Sequence, residues 1–162
     1  MEISDYSAAI YLGEDLIIDF ANDQMIKTWG KTKEVIGIPL EKALPELEGQ
    51  PFVQILKDIF KTGKPYISKE DRVDLVVDGT LQPFYFSFSY RPLRNSQGEI
   101  YAIMNVAMDV TELVNSRKNA QENFKEYRNL AEAMPQIVWT TDAEGKFLYY
   151  NKNMLSFLEI EK

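Results

Sequence analysis

Apolar residues recur along this chain with two different periods, and the switch between them organises it. Two short apolar runs, residues 8–12 and 16–20, are separated by Gly13-Glu14-Asp15, which predicts an antiparallel hairpin. Asn22 is a good N-cap for residues 23–29, where Met25, Ile26 and Trp29 fall on one helical face. Around Gly37, Pro39 and Pro45 the pattern breaks into short helical turns and loop. Phe52, Ile55, Leu56, Ile59 and Phe60 then repeat at helical spacing until Gly63-Lys64-Pro65 ends the helix.

Beyond that point the period falls to two. Val73, Leu75 and Val77 alternate with polar partners, Asp78-Gly79 supplies a turn, and Phe84, Phe86, Phe88 and Tyr90 alternate with Tyr85, Ser87, Ser89 and Arg91. A second turn, Asn95-Ser96-Gln97-Gly98, leads to residues 100–108, apolar on both faces except for Asn105. Pro92 belongs at a strand edge or end. Three meandering strands therefore join the first two in one sheet with helices on a face of it, an α+β fold.

At Asp109-Val110-Thr111-Glu112 the alternating run gives way to a long polar helix. Asp109 and Glu112 stand in capping-box spacing, which stiffens the strand-to-helix joint. The helix is expected to reach Met134, with Pro135 stopping it, and to run about 36 Å. Its seam of Leu113, Arg117, Ala120, Phe124, Tyr127, Ala131 and Met134 is only partly apolar, so it makes a weak coiled coil by itself.

The two ends of the chain match each other at an ungapped offset of 129 residues. That offset sets Phe20-Ala21-Asn22-Asp23-Gln24-Met25 against Tyr149-Tyr150-Asn151-Lys152-Asn153-Met154, and the run 8–12 against 137–141. Asn22 and Asn151 are thereby expected to be equivalent helix caps. The second copy contains only an opening hairpin and part of a helix, too little for a core of its own, so it is expected to pack on the first domain, the connector or another chain.

Taken in order, these features resemble a PAS domain with its C-terminal PAC segment over residues 8–112, followed by the start of a second PAS domain. The likeness rests on the hairpin leading to Phe20-Ala21-Asn22, the Trp29-Gly30 and Val35-Ile36-Gly37 turns, the strand Phe86-Ser87-Phe88-Ser89-Tyr90-Arg91-Pro92-Leu93, Gly98, and Asp109-Val110-Thr111-Glu112. The resemblance implies a five-stranded antiparallel sheet in the order 2-1-5-4-3, a pocket between sheet and helices, and a signalling helix leaving the last strand. It divides the chain into a PAS/PAC domain at 1–112, a helical connector at 113–134 and the start of a second PAS domain at 135–162. It also implies a sensor or relay from a multi-domain protein such as a bacterial histidine kinase in a two-component system, with Asp109, Thr111 and Glu112 passing the signal and the chain working as a homodimer.

Met25, Trp29, Phe52, Leu56, Phe86, Phe88 and Met104 can line a cavity for an apolar or aromatic ligand, or simply fill a core. Ser87, Ser89 and Asn105 can orient such a ligand or face away from it. The acidic group Glu41, Glu46 and Glu48 lies in a Pro-rich loop and reads as solvated surface.

Composition narrows the chemistry. With no His and no Cys, the chain has no side chain for a His-ligated haem, a cysteinyl-flavin adduct, a His/Cys zinc site or a Ser-His-Asp nucleophile. No metal site and no catalytic group is therefore expected, and any cofactor is left unknown. A net charge of -7 disfavours nucleic acid. No membrane segment and no secretion signal is visible, so a cytoplasmic location is expected. Two other functions remain beside the sensor: a passive dimerisation spacer with a filled core, and a small α+β enzyme, which would need an acid-base residue of perturbed pKa inside the pocket.

Overall fold

The computed structural model describes residues 6–160, and these divide into two units, one ending at Val114 and one beginning at Asn115. In the first, β1 (Ser7–Leu12) and β2 (Ile17–Ala21) form the expected hairpin, and α1 (Asp23–Thr28) follows. Two single turns of 3-10 helix, Lys33–Val35 and Pro45–Leu47, flank the one-turn α2 (Leu40–Ala43). Then come α3 (Phe52–Thr62), β3 (Tyr66–Val77), β4 (Thr80–Arg94) and β5 (Ile100–Asp109). The strands make one antiparallel sheet in the order β2-β1-β5-β4-β3, as the resemblance implies.

Alternation along the strands decides which face is dry. Ala9, Tyr11, Ile18, Leu75, Phe86, Phe88 and Ile103 point to one face and pack with Met25, Trp29, Phe52 and Leu56 of the helices. Phe88 stands edge-on to Phe52 at 5.8 Å and tilted against Tyr90 at 4.8 Å, so α3 and β4 meet at one aromatic cluster. The β3–β4 turn uses Asp78 and Gly79 at φ 52° and 73°, the left-handed pair that Asp-Gly favours. β3 begins at Tyr66, earlier than its alternating residues indicate, because it is an edge strand whose polar stretch still pairs with β4 across a bulge between Ser68 and Asp71.

The loop between α1 and α3 corrects one expectation. Glu46 is not solvated: its carboxylate is 4% exposed and lies 3.1 Å from the Lys31 ammonium. It also accepts a hydrogen bond from the Val76 amide at 3.3 Å. Gln50 adds to this staple, accepting from the Asp74 amide at 2.9 Å and donating to the Asp74 carbonyl at 2.8 Å. The loop is thus pinned to β3 by groups far away in sequence, while Glu41 and Glu48 remain exposed.

In the second unit, α4 (Thr111–Ala133), whose first turn belongs to the first unit, runs towards a short hairpin of β6 (Trp139–Thr141) and β7 (Phe147–Tyr150) and then α5 (Lys152–Ile160). The hairpin packs on the last turns of α4. Tyr149 lies edge-on to Tyr127 with ring centroids 6.2 Å apart, and its hydroxyl donates to Glu132 at 2.7 Å. Glu132 also accepts from the Lys152 amide at 2.9 Å, and these bonds hold its carboxyl below the usual range. Burial, then the adjacent carboxylate, push the Tyr149 hydroxyl up to about 12. Ile137, Trp139 and Phe147 stay 42%, 54% and 51% exposed, so Tyr149 carries more of the packing than they do.

The duplication is visible in hydrogen bonds, with one adjustment. Asn22 accepts from the Ala8 amide at 3.0 Å and donates to the Tyr6 carbonyl at 2.8 Å. Asn151 accepts from the Val138 amide at 3.1 Å and donates to the Gln136 carbonyl at 2.8 Å. Ala8 therefore corresponds to Val138, not Ile137. The second hairpin is one residue shorter, so the ungapped offset holds for the helix start and fails in the first strand.

Candidate functional site

Two features of the first unit have functional geometry, a cavity under the sheet and the joint where α4 leaves it. The cavity has a volume of about 50 Å³ and lies between the sheet, α1, the α2 segment and the start of α3. Met25, Trp29, Phe52, Phe86 and Phe88 line it, as the sequence reading expects. Leu56 and Met104 do not. Leu56 is fully buried elsewhere in the core, whereas Met104 projects from the opposite face, because Ile103, Asn105 and Ala107 are the inward residues of β5. Ser87 and Ser89 share that outer face, and of the three polar candidates only Asn105 reaches the cavity.

Asn105 is the polar group at its floor. It is 6% exposed and its Nδ2 donates to the Tyr11 hydroxyl at 3.0 Å. Its Oδ1 has no hydrogen-bond partner among the described residues. Burial pushes the Tyr11 and Tyr90 hydroxyls well above their ordinary value, so both are neutral at physiological pH. Every residue lining the cavity is uncharged. Tyr11 and Tyr90 were not among the sequence candidates; what links Tyr11 to Asn105 is the pairing of β1 with β5. Tyr11→Phe is expected to cost about 1–3 kcal/mol, since it strands the Asn105 amide entirely. The double variant Tyr11→Phe/Asn105→Leu should recover most of that loss, which urea unfolding midpoints would measure.

The joint is built differently from a capping box. The Val110 carbonyl accepts the first helical bond, from Val114 at 2.9 Å, so Val110 is the N-cap and the expected register is one residue early. Asp109 does take a first-turn amide, accepting from Thr111 at 2.8 Å. The Val110 amide donates to the Tyr85 carbonyl at 2.8 Å, and Thr111 Oγ1 accepts from the Tyr85 amide at 2.9 Å. Both backbone groups of one β4 residue are thus held by the entry to the helix. Glu112 is exposed in the first turn, where a negative charge suits the helix dipole, and makes no part of this clasp.

Among the described residues no cluster of acidic side chains is arranged to hold a metal ion, and no helix is long and apolar enough to cross a membrane. A cysteinyl-flavin adduct has no thiol here, and a tricyclic ring does not fit about 50 Å³, roughly a third of an apolar cavity that takes benzene.

One antiparallel sheet wrapped by short helices around a small uncharged cavity defines the class of single-sheet α+β modules. The sequence profile of the family described as "PAS fold" matches residues 4–115, and a second profile, "PAS domain", matches residues 125–161. The chain belongs to the PAS family, whose domains are in general sensory modules. An uncharacterized protein, y4lL of Sinorhizobium fredii (strain NBRC 101917 / NGR234), is 26% identical over 130 residues, 80% of this chain. The chain spans only 16% of that relative's length. The fold is similar to that of an RNA-binding light-oxygen-voltage receptor, with TM-score 0.57, 16% identity, and coverage of 78% of this chain and 36% of the other. It is also similar to the light-state dimer of the fungal blue-light photoreceptor Vivid, with TM-score 0.51, 14% identity, and coverage of 66% and 79%.

Proposed function

We propose that this chain is a sensory relay module that couples an event in the first domain, ligand binding or contact with a partner, to a second PAS domain through α4. In this reading residues 1–112 are the sensor, 113–134 the connector and 135–162 the start of the next domain, a division supported by the second family match at 125–161. The observation that carries it is the clasp of Val110 and Thr111 on Tyr85. A shift of β4, which also lines the cavity, changes the anchor of the helix directly. Asp109 fixes the Thr111 amide in that geometry, and Glu112 acts only through the dipole.

Thr111→Val tests the relay, because it keeps the shape and removes the acceptor for the Tyr85 amide. Exchange of the amides of residues 111–118 is expected to rise about tenfold, matching one lost hydrogen bond of ~1.4 kcal/mol, with exchange in β1 and β5 unchanged. Unaltered exchange at the start of α4 would sink the role of the clasp.

Homodimerisation through the domain and α4 belongs to this proposal. It is supported by Leu113, Phe124 and Leu130, which are 62%, 56% and 58% exposed along α4, and by the dimer named for the Vivid neighbour. A histidine kinase output is a further part of it, readable from the residues that accompany this segment in its parent. The RNA binding named for the other neighbour is not carried over, given the net charge of -7. A passive spacer is the second reading, favoured by how small the cavity is. Native mass spectrometry of freshly purified protein separates the two, since a bound small molecule supports sensing.

A further inference from the structure

The cavity combines a mostly aromatic and aliphatic wall that also includes Thr28, Tyr11 and Tyr90, no charge, and one buried acceptor without a partner. Each restricts what can occupy it. A charged ligand would lose its hydration against an uncharged wall and find no counter-ion, so the occupant is neutral. An acceptor buried to this degree costs free energy while unpaired, so the occupant gains by presenting a donor to Asn105 Oδ1. Tyr11 does not fill that role: its hydroxyl contacts the other end of the same amide, accepting from Nδ2 at 3.0 Å, and makes no bond to Oδ1.

Size is the third restriction. A volume of about 50 Å³ holds water or a short alcohol, and a single ring enters only if the wall gives. Met25 is the wall residue that can give. It is 1% exposed, unbranched, and rotates about three bonds around a polarisable sulfur, whereas Trp29, Phe52 and Phe88 are rigid rings.

We propose that the ligand of this cavity is a compact, neutral, mostly apolar molecule with one hydrogen-bond donor, of the alcohol or phenol class, that docks its donor on Asn105 Oδ1 and displaces the Met25 thioether. This rests on the sensory reading above and names the chemistry that would be sensed. A ligand of this kind reproduces the hydrogen bond of any water it displaces, while a purely apolar one of the same shape does not.

Phenol and toluene, which differ by a hydroxyl against a methyl, make the test, with titrations of the whole chain followed by ¹⁵N–¹H spectra that include the Asn105 side-chain amide. Phenol is expected to bind at least about tenfold more tightly than toluene and to shift that amide signal. Asn105→Leu should remove or reverse the preference, and Met25→Ala should tighten phenol binding by enlarging the cavity. Equal binding of the two, with both displacing the same signals, leaves the cavity a ligand site and overturns the hydrogen-bonding inference. If neither binds even to Met25→Ala, confirmed folded by its spectrum, the ligand-sensing reading falls together with this one.

Discussion

Gly30→Ala is expected to lower the unfolding free energy of the first domain by about 3 kcal/mol, a fall in Tm of roughly 10 °C. Two costs add at this residue. Its φ is +64°, where a β-carbon costs about 1–2 kcal/mol. That carbon would also lie 2.8 Å from the Val76 carbonyl oxygen and 3.1 Å from the Val77 α-carbon, both backbone atoms of β3. Side chains can rotate away, but the backbone of a paired strand cannot, so either β3 shifts or the turn after α1 opens. Gly37, at φ +83° with open space around it, separates the two costs: Gly37→Ala should show the conformational part alone. Thermal unfolding of both variants checks this, and equal losses would show that the close approach to β3 carries no weight.

The second large effect is expected from Asn151→Ala, by contrast with Asn22→Ala. Asn151 is fully buried and its side chain serves three backbone groups, accepting from Val138 and donating to Ala131 at 2.9 Å and Gln136 at 2.8 Å. Removing it strands the Val138 amide, takes the side-chain donor from the Ala131 carbonyl and leaves the Gln136 carbonyl only a 3.3 Å bond from Asn153, a loss of about 2–4 kcal/mol. A short hairpin resting on one helix has no comparable reserve of stability. Amide exchange across residues 138–150 should therefore approach that of an unfolded chain, while the Tm of the first domain stays unchanged. Asn22→Ala removes similar bonds, to Ala8, Tyr6 and Met25, from a domain with a full core. It should lower that domain's stability by about 2 kcal/mol without unfolding it. The same substitution would then act as a switch in one copy and as a mild lesion in the other; a protected second hairpin in Asn151→Ala would refute the docking role.

Much of this architecture was legible because the forces that set it are local. Apolar spacing identified α3, β4 and β5; Asp78-Gly79 and Gly63 marked a turn and a helix end through their left-handed backbone; Asn22 capped α1 as expected, whereas the Asn151 side chain bonds Val138, Ala131 and Gln136 instead of the first turn of α5. The strand order followed from the family resemblance and not from periodicity, which carries no information about which strands pair. The site was half legible for the same reason. Met25, Trp29, Phe52, Phe86 and Phe88 share an inward parity with the core and could be picked by type, but Met104 was assigned to the wrong face. On a strand apolar on both sides, alternation does not say which side is in, and only the neighbours of β5 decide it.

What the sequence by itself determined is the set of elements, the chemistry its missing His and Cys rule out, and the place where the last strand of the sheet ends and a long helix begins. What only the tertiary structure decided are the contacts between residues distant along the chain. These are the unpaired Asn105 oxygen beside Tyr11, the buried Glu46 held by Lys31 and Val76, the one-residue difference between the repeated hairpins, and the clasp on Tyr85 that makes the 109–112 joint more than a cap. Each depends on pairing geometry that brings distant groups within about 3 Å, and local propensity has no access to it.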